Sequence, residues 1–306
     1  MFKSINTNHQ KGKFMIKNKI FFGILCALST SAFAVENGNS NYANGAENFM
    51  SGVVPPPGIH GMIYTNHYNA DRLNDYKGNN LNVPNFEVKS TAIVSRLVWV
   101  TDKQFFGGNL VFETLIPLVD LKVQSLDMSQ KQQGLGDITI GSALGFHHSP
   151  NLHSAIGFDI FLPTGEYNKN DLANLGLNRT TIEPMYTISY LKENALSADV
   201  KLGYLFNGKN KDTNYSNGDQ FHLDYSIGKN YKNMTFGIGG YYSTQINNDK
   251  INNEEIKNSK TSGFAIGPSF KYQGKKWFTT IKWEKDLIAE NKSEGNSLWI
   301  KTALPF

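Results

Sequence analysis

The 306-residue sequence predicts an all-β fold, a 12-stranded antiparallel transmembrane barrel of the outer-membrane kind with short periplasmic turns and long extracellular loops. Three observations carry that prediction. Apolar and polar residues alternate through twelve segments, the connections alternate between short and long, and the final stretch 297–306 is itself such a segment. In it Leu298, Ile300, Thr302, Leu304 and Phe306 oppose Ser297, Trp299, Lys301, Ala303 and Pro305. A strand between lipid and a wet lumen needs one apolar face and one mixed face.

The first element is an address label. Lys3, Lys11, Lys13, Lys17 and Lys19, with no acid among them, precede the apolar run 20–28 and then Ala32-Phe33-Ala34. This is the pattern of a secretory signal peptide over residues 1–34, cleaved after Ala34; Met15 is an alternative start. No segment reaches the roughly 20 apolar residues of a spanning helix. Loss of the leader removes five lysines and takes the formal net charge from +4 to −1, so a nucleic-acid partner is not expected. Cys26, the single cysteine, leaves with the leader, and Leu25 before it argues against a lipid anchor. The mature chain therefore has no thiol chemistry. Its Gly, Asn, Tyr and Phe suit turns and pleated strands.

Residues 35–58 read as a periplasmic N-terminal segment or partial plug. Asn37-Gly38-Asn39-Ser40 is loose, whereas Pro55, Pro56 and Pro57 fix φ and offer no amide donor. These prolines are the gate candidates. The barrel follows over 59–306, in segments 59–68, 87–100, 105–119, 135–146, 152–162, 179–190, 195–206, 219–228, 234–246, 261–272, 277–287 and 297–306. Connections 101–104, 147–151, 191–194, 229–233 and 273–276 are short, and 69–86, 120–134, 163–178, 207–218, 247–260 and 288–296 are long. A soluble sandwich has no reason to alternate loop lengths, whereas an outer-membrane barrel does.

Period two also assigns faces. Phe221, Leu223, Tyr225 and Ile227 point one way, while Gln220, His222, Asp224 and Ser226 point the other. Trp99, Tyr190, Tyr272, Trp277 and Phe306 fall on the outward face beside the short turns, where an interfacial aromatic girdle belongs. Arg96, Glu113, Asp137, Asp159, Arg179, Glu183, Asp199, Lys201, His222 and Asp224 fall inward, as do Lys271, Lys282, Glu284, Asp286 and Lys301. Charges in a spanning segment must face water or a partner, so this set lines a lumen, either as permeation groups or as structural ion pairs. His222 and Asp224, with Ser216 and Ser226 nearby, leave a rim-site hydrolase as an alternative, although no nucleophile is fixed by the spacing. His147, His148 and His153 flank a short turn without the further ligands a metal requires. No catalytic residue, metal or cofactor is assigned.

Several stretches together resemble the SphA-type outer-membrane family labelled for the meta-pathway of phenol degradation. They are Pro56-Pro57-Gly58, Gly134-Leu135-Gly136-Asp137, Pro163-Thr164-Gly165-Glu166-Tyr167 and Asn174-Leu175-Gly176-Leu177-Asn178. The run from Asn210 to Asp224, Gly240-Tyr241-Tyr242, Gly267-Pro268 and the terminal strand complete the likeness, with Gln220 standing where members often have an acid. The resemblance implies an outer-membrane channel for uptake of small hydrophobic, particularly aromatic, compounds. It supplies no catalytic residues. Expected partners are outer-membrane lipid and lipopolysaccharide, the permeant, and the barrel assembly machinery, for which Phe306 is the candidate signal. A structural or surface-interaction barrel is the other alternative.

Overall fold

The computed structural model describes residues 39–304, so the leader, residues 35–38, Pro305 and Phe306 lie outside the described residues. The strands in the first half are β1 Gly58–Leu73, β2 Glu87–Phe105, β3 Gly108–Ser125, β4 Met128–Leu135, β5 Thr139–Ser149, β6 Leu152–Phe161, β7 Thr181–Leu191 and β8 Leu196–Asn207. The second half adds β9 Lys209–Asn210, β10 Tyr215–Ser216, β11 Gln220–Tyr231, β12 Met234–Gln245, β13 Lys250–Ile251, β14 Glu254–Glu255, β15 Ser262–Gln273, β16 Phe278–Glu290 and β17 Ser293–Leu304. Among the described residues no helix is long and apolar enough to cross a membrane.

Thirteen of these strands form one antiparallel sheet, which closes because β1 pairs with both β2 and β17. Closure removes the unpaired edges that a strand could not carry through hydrocarbon. β4 and β5 lie end to end on β3 as one interrupted stave, so the barrel has twelve staves. The short β9, β10, β13 and β14 make a separate four-stranded sheet in the loops of one rim.

Alternation decides which side chains fill the barrel. Ile63, Leu97, Ile182, Ile227, Phe236 and Ile281 are exposed on the outside, while Glu183, His222, Asp224 and Lys282 are fully buried within. Apolar side chains contribute only small interior clusters, Tyr42 with Phe161 and Leu205, and Val98 with Val100 and Val111. Trp99 and Trp277 are exposed beside the short turns, and the Trp277 ring lies 5.4 Å from that of Tyr272.

Local boundaries depart from the sequence reading in three places. Residues 120–134, read as a long loop, are mostly the β3–β4 hairpin, so the fourth segment starts at Thr139 and not at Leu135. Residues 288–296 are likewise strand, with β16 and β17 joined across Asn291 and Lys292. The turn placed at 101–104 sits instead at Phe106 and Gly107, with φ of 53° and 84°. Residues 129–133 of β4 and 101–104 of β2 are polar on both faces, so no apolar stripe marks them. The ladder is made by backbone groups, which pair whatever the side chains are. The connections 74–86, 162–180, 208–219 and 246–261 still leave one rim long-looped and the other short-turned.

Candidate functional site

Residues 39–57 run inside the barrel from the long-loop rim to the short-turn rim. At the long-loop end Arg179 donates to the Asn39 carbonyl at 3.2 Å and Thr181 to Asn41 Oδ1 at 2.8 Å. At the other end Val54 packs over Gly145, and Pro56 accepts from His60 at 2.8 Å. The segment forms neither helix nor ladder, so its own turns satisfy some of its amides, such as Ala46 and Val53, and side chains of the wall satisfy others. Asp224 accepts from Tyr42 Oη (2.6 Å), the Gly45 amide (2.9 Å) and the Glu47 amide (2.9 Å). Further along, Asp199 accepts from the Ser51 amide at 3.1 Å, Ser189 from Gly52 at 2.7 Å, and Asn48 Oδ1 from Ser269 at 2.8 Å. Gly45 has φ of 84°, and a Cβ there would collide with the Glu284 carboxylate. Only glycine permits that turn so close to the wall.

Glu47 is the electrostatic hub of this plug. Its carboxylate accepts from Tyr64 Oη at 2.9 Å, Arg96 at 3.1 Å and Lys301 at 2.8 Å, and its carbonyl accepts from Lys282 at 3.1 Å. Burial alone would raise the Glu47 carboxyl, but Lys301, Arg96 and Lys201 hold it well below the usual carboxylate range. Arg96 also binds Glu113 through Nε at 2.6 Å, so one guanidinium bridges plug and β3. On the other flank burial and the Asp224 carboxylate push the Tyr42 hydroxyl up, so it remains a donor. The Tyr42 ring stacks on His222 with centroids 3.9 Å apart, and the Lys201 ammonium lies 4.3 Å from the same ring. Lys201 and His222 each lie 3.0 Å from Glu183 Oε1, and Asp159 is 4.0 Å from Lys201.

Two cavities flank the Arg96–Glu47 bridge. The one toward the long loops is about 140 Å³ and has Val94, Leu115, Pro117, Phe161, Tyr42 and Trp299 in its walls. The second, about 60 Å³, lies toward the short turns among Met50, Val53, Val54, Met62, Val98, Val111, Met185 and Phe278. Both touch Glu47, Tyr64, Arg96, Glu113 and Lys201, so these residues separate them.

The larger cavity abuts the break in the wall between β4 and β5. β5 pairs with β6 up to Thr139 and Phe161, but β4 pairs only with β3, leaving its other edge without a strand. The loop 162–180 covers that edge: Gln130 Oε1 accepts from the amides of Leu172 (2.6 Å) and Ala173 (3.0 Å). Asp137 sits in the break and accepts from the amides of Gly165 (3.0 Å) and Leu177 (2.9 Å) and from Asn41 of the plug (3.2 Å). Three stretches far apart in sequence thus meet at one carboxylate, and Gly165 approaches Gly176 too closely for a side chain.

The inward residues named from the sequence fall into groups. Arg96, Glu113, Asp159, Glu183, Lys201 and His222 surround the cavities and the Tyr42 ring; Asp199 and Asp224 grip the plug; Asp137 is in the wall break. Arg179 stands at the long-loop end, 2.5 Å from Asn217 Oδ1. Pro56 and Pro57 are exposed at the short-turn end and Pro55 lines the smaller cavity. His222 pairs with Glu183 rather than with a serine, and the buried Ser226 hydroxyl makes no bond. Near the short turn His147 faces His153 at 2.8 Å, and His148 bonds Ser154 at 2.7 Å. Among the described residues no group of three or more His, Cys, Asp or Glu is placed to hold a metal. Tyr42, Glu47, Tyr64 and the seam residue Gln130 do not stand out in the sequence. A lone acid following the uncharged Asn/Gly/Ala stretch 37–46 is the only signal for Glu47.

Comparison with known proteins agrees with this architecture. An outer membrane channel of Pseudomonas putida superposes with a TM-score of 0.76 over 85% of this chain and 100% of that chain, at 17% identity. The β-domain of the Bordetella autotransporter BrkA gives 0.45 at 8% identity (81% and 99% covered), and a Pseudomonas aeruginosa FadL homologue 0.36 at 7% (80% and 87% covered). No curated protein matches the sequence significantly. A family model does, over residues 70–302, a span that holds the strands of the barrel wall, the break at Asp137 and the loop that covers it. The chain belongs to the family described as "Putative MetA-pathway of phenol degradation".

Proposed function

We propose that this protein is an outer-membrane channel through which small hydrophobic compounds, aromatic ones foremost, enter the cell, with the short turns in the periplasm and the long loops outside. The observation that carries the reading is the pair of cavities beside the plug, on the two flanks of the Arg96–Glu47 bridge, with walls that are mostly apolar. A cavity of about 150 Å³ suffices for one benzene ring, and the larger one here has about that size. Met50, Met62 and Met185 give the inner cavity walls that adapt to different shapes.

The permeant passes beside the docked plug. It enters the larger cavity from the long-loop side or through the wall break at Asp137, where side-chain bonds replace the ladder. A swing of the Arg96 side chain away from Glu47, keeping its pair with Glu113, joins the two cavities without unseating the plug. The family description and the fold shared with the Pseudomonas putida outer membrane channel support a channel. The aromatic permeant rests on the cavity size and on the family description. Lipid and lipopolysaccharide around the exposed apolar belt, and the barrel assembly machinery, complete the proposed partners.

Uptake of a radiolabelled monoaromatic hydrocarbon by a porin-depleted Gram-negative host tests the reading. Expression of the protein should raise the uptake rate. Ala155→Trp, which fills the inner cavity, should abolish the gain while the folded band on unheated gels persists. Equal uptake with and without the protein, or with and without the tryptophan, would refute it.

A further inference from the structure

Across the barrel from that path the short-turn rim holds a separate vestibule of about 540 Å³, between the β7–β8, β11–β12 and β15–β16 turns. Lys271 forms part of its lining and is 7% exposed. Its ammonium makes no hydrogen bond and no ion pair with any described residue. Its ladder neighbours on the two sides are Thr235 and Thr280, neither of which carries charge. Asp199 is the carboxylate whose charge acts on it, but it spends Oδ1 on the Ser51 amide and the Ser189 hydroxyl and makes no ion pair with Lys271. A mostly buried cation without a counter-charge, open only toward the vestibule, favours an anion that enters there.

The rest of the lining says what kind of anion fits. The exposed Asn194 and Asn233 have side-chain NH₂ groups that make no bond to the described residues, Lys232 adds a second cation at the rim, and Glu193 opposes an excess of negative charge. Leu191 offers an apolar surface, and the volume far exceeds that of a halide. We propose that this vestibule is a binding site for small organic monocarboxylates, with the carboxylate on Lys271 and the amides of Asn194 and Asn233. The site faces the periplasm and requires nothing of the permeation path, so it stands or falls independently of the transport reading.

Purified full-length protein in non-ionic detergent, titrated with benzoate and with neutral benzamide by calorimetry, provides the test. Benzoate should bind and benzamide should not. Lys271→Met should bind benzoate at least about tenfold more weakly, the loss expected for one charge-assisted bond. Lys271→Arg keeps the cation and should retain binding, which separates the charge from mere assembly; heat-modifiable mobility confirms that each variant is folded. If Lys271→Met does not assemble, Asn233→Ala should still weaken benzoate several-fold. Equal binding of benzoate and benzamide, or equal benzoate binding by the wild type, Lys271→Met and Asn233→Ala, would overturn the proposal. So would the absence of benzoate binding by the wild type, which would leave Lys271 as the water-bridged counter-charge of Asp199.

Discussion

The two sides of the lumen treat the plug differently. On one side β7, β8, β11, β15 and β16 hold it by Ser189, Asp199, Asp224, Ser269 and Lys282, each bonded to a plug amide, hydroxyl, carbonyl or side chain. On the other, β1, β2 and β17 reach it through Tyr64, Arg96 and Lys301, all meeting at Glu47, and Asp137 reaches Asn41 at the wall break, with the larger cavity between them. A plug held evenly would have to leave for anything to pass. One gripped along its length from one side, and bridged from the other at Glu47 and Asn41, leaves a path whose opening costs a bridge and not a domain.

The sharpest way to break that contrast is Glu47→Ala. It leaves Lys301 without its carboxylate and Arg96 with Glu113 as its remaining acid inside the barrel, and stranding buried charge typically costs about 3–5 kcal/mol. Ion conductance in planar bilayers should rise sharply and the unfolding temperature should fall. Acid is the milder version of the same change. The folded Glu47 carboxyl is depressed, so its contribution is fully present above the unfolded value of about 4.3 and fades only as pH falls below it. Conductance should stay flat from neutral pH to about 5 and increase in stronger acid.

Asp224→Asn attacks the gripping side. It weakens three bonds to the plug, a loss of about 1.5–3 kcal/mol, and should raise conductance less than Glu47→Ala does. Asp137→Asn tests the wall break. Here the expected loss is about 1–2 kcal/mol, confined to one place. Amide exchange should quicken across 165–177 while β8, β11 and β12 stay protected. Replacing Pro55, Pro56 and Pro57 by Ala should have the smallest effect, about 0.4–1 kcal/mol each through added freedom of the free segment, with uptake changing less than about twofold.

What the sequence reveals and hides follows from the physics of each region. Alternation exposes the staves and the sign of each face because lipid and lumen impose opposite polarity on neighbouring residues. Arg96, Asp159, Glu183, Lys201 and Asp224 are readable for that reason. The plug obeys no period, since four of its amides are satisfied singly by wall residues more than a hundred positions away and others by its own turns, so Tyr42 and Glu47 carry no pattern. The wall break leaves only a trace. Gly134-Leu135-Gly136-Asp137 and the two later glycine-containing stretches stand out as motifs, but that Asp137 joins them depends on a loop folding back across the barrel edge. The β3–β4 hairpin escapes detection because residues 129–133 of β4 are polar on both faces, although Leu121 and Val123 carry the alternation on to the end of β3.

Passage beside a docked plug is most directly tested by locking the plug in place. No cysteine follows Cys26 in the sequence, so Asn48→Cys with Ser269→Cys, whose side chains touch across the gripping side, would form a lone disulfide on oxidation. Uptake of the radiolabelled aromatic should be the same in oxidised and reduced protein. Uptake that stops on oxidation and returns on reduction would contradict the account, since it would mean that the plug must move away for the channel to open.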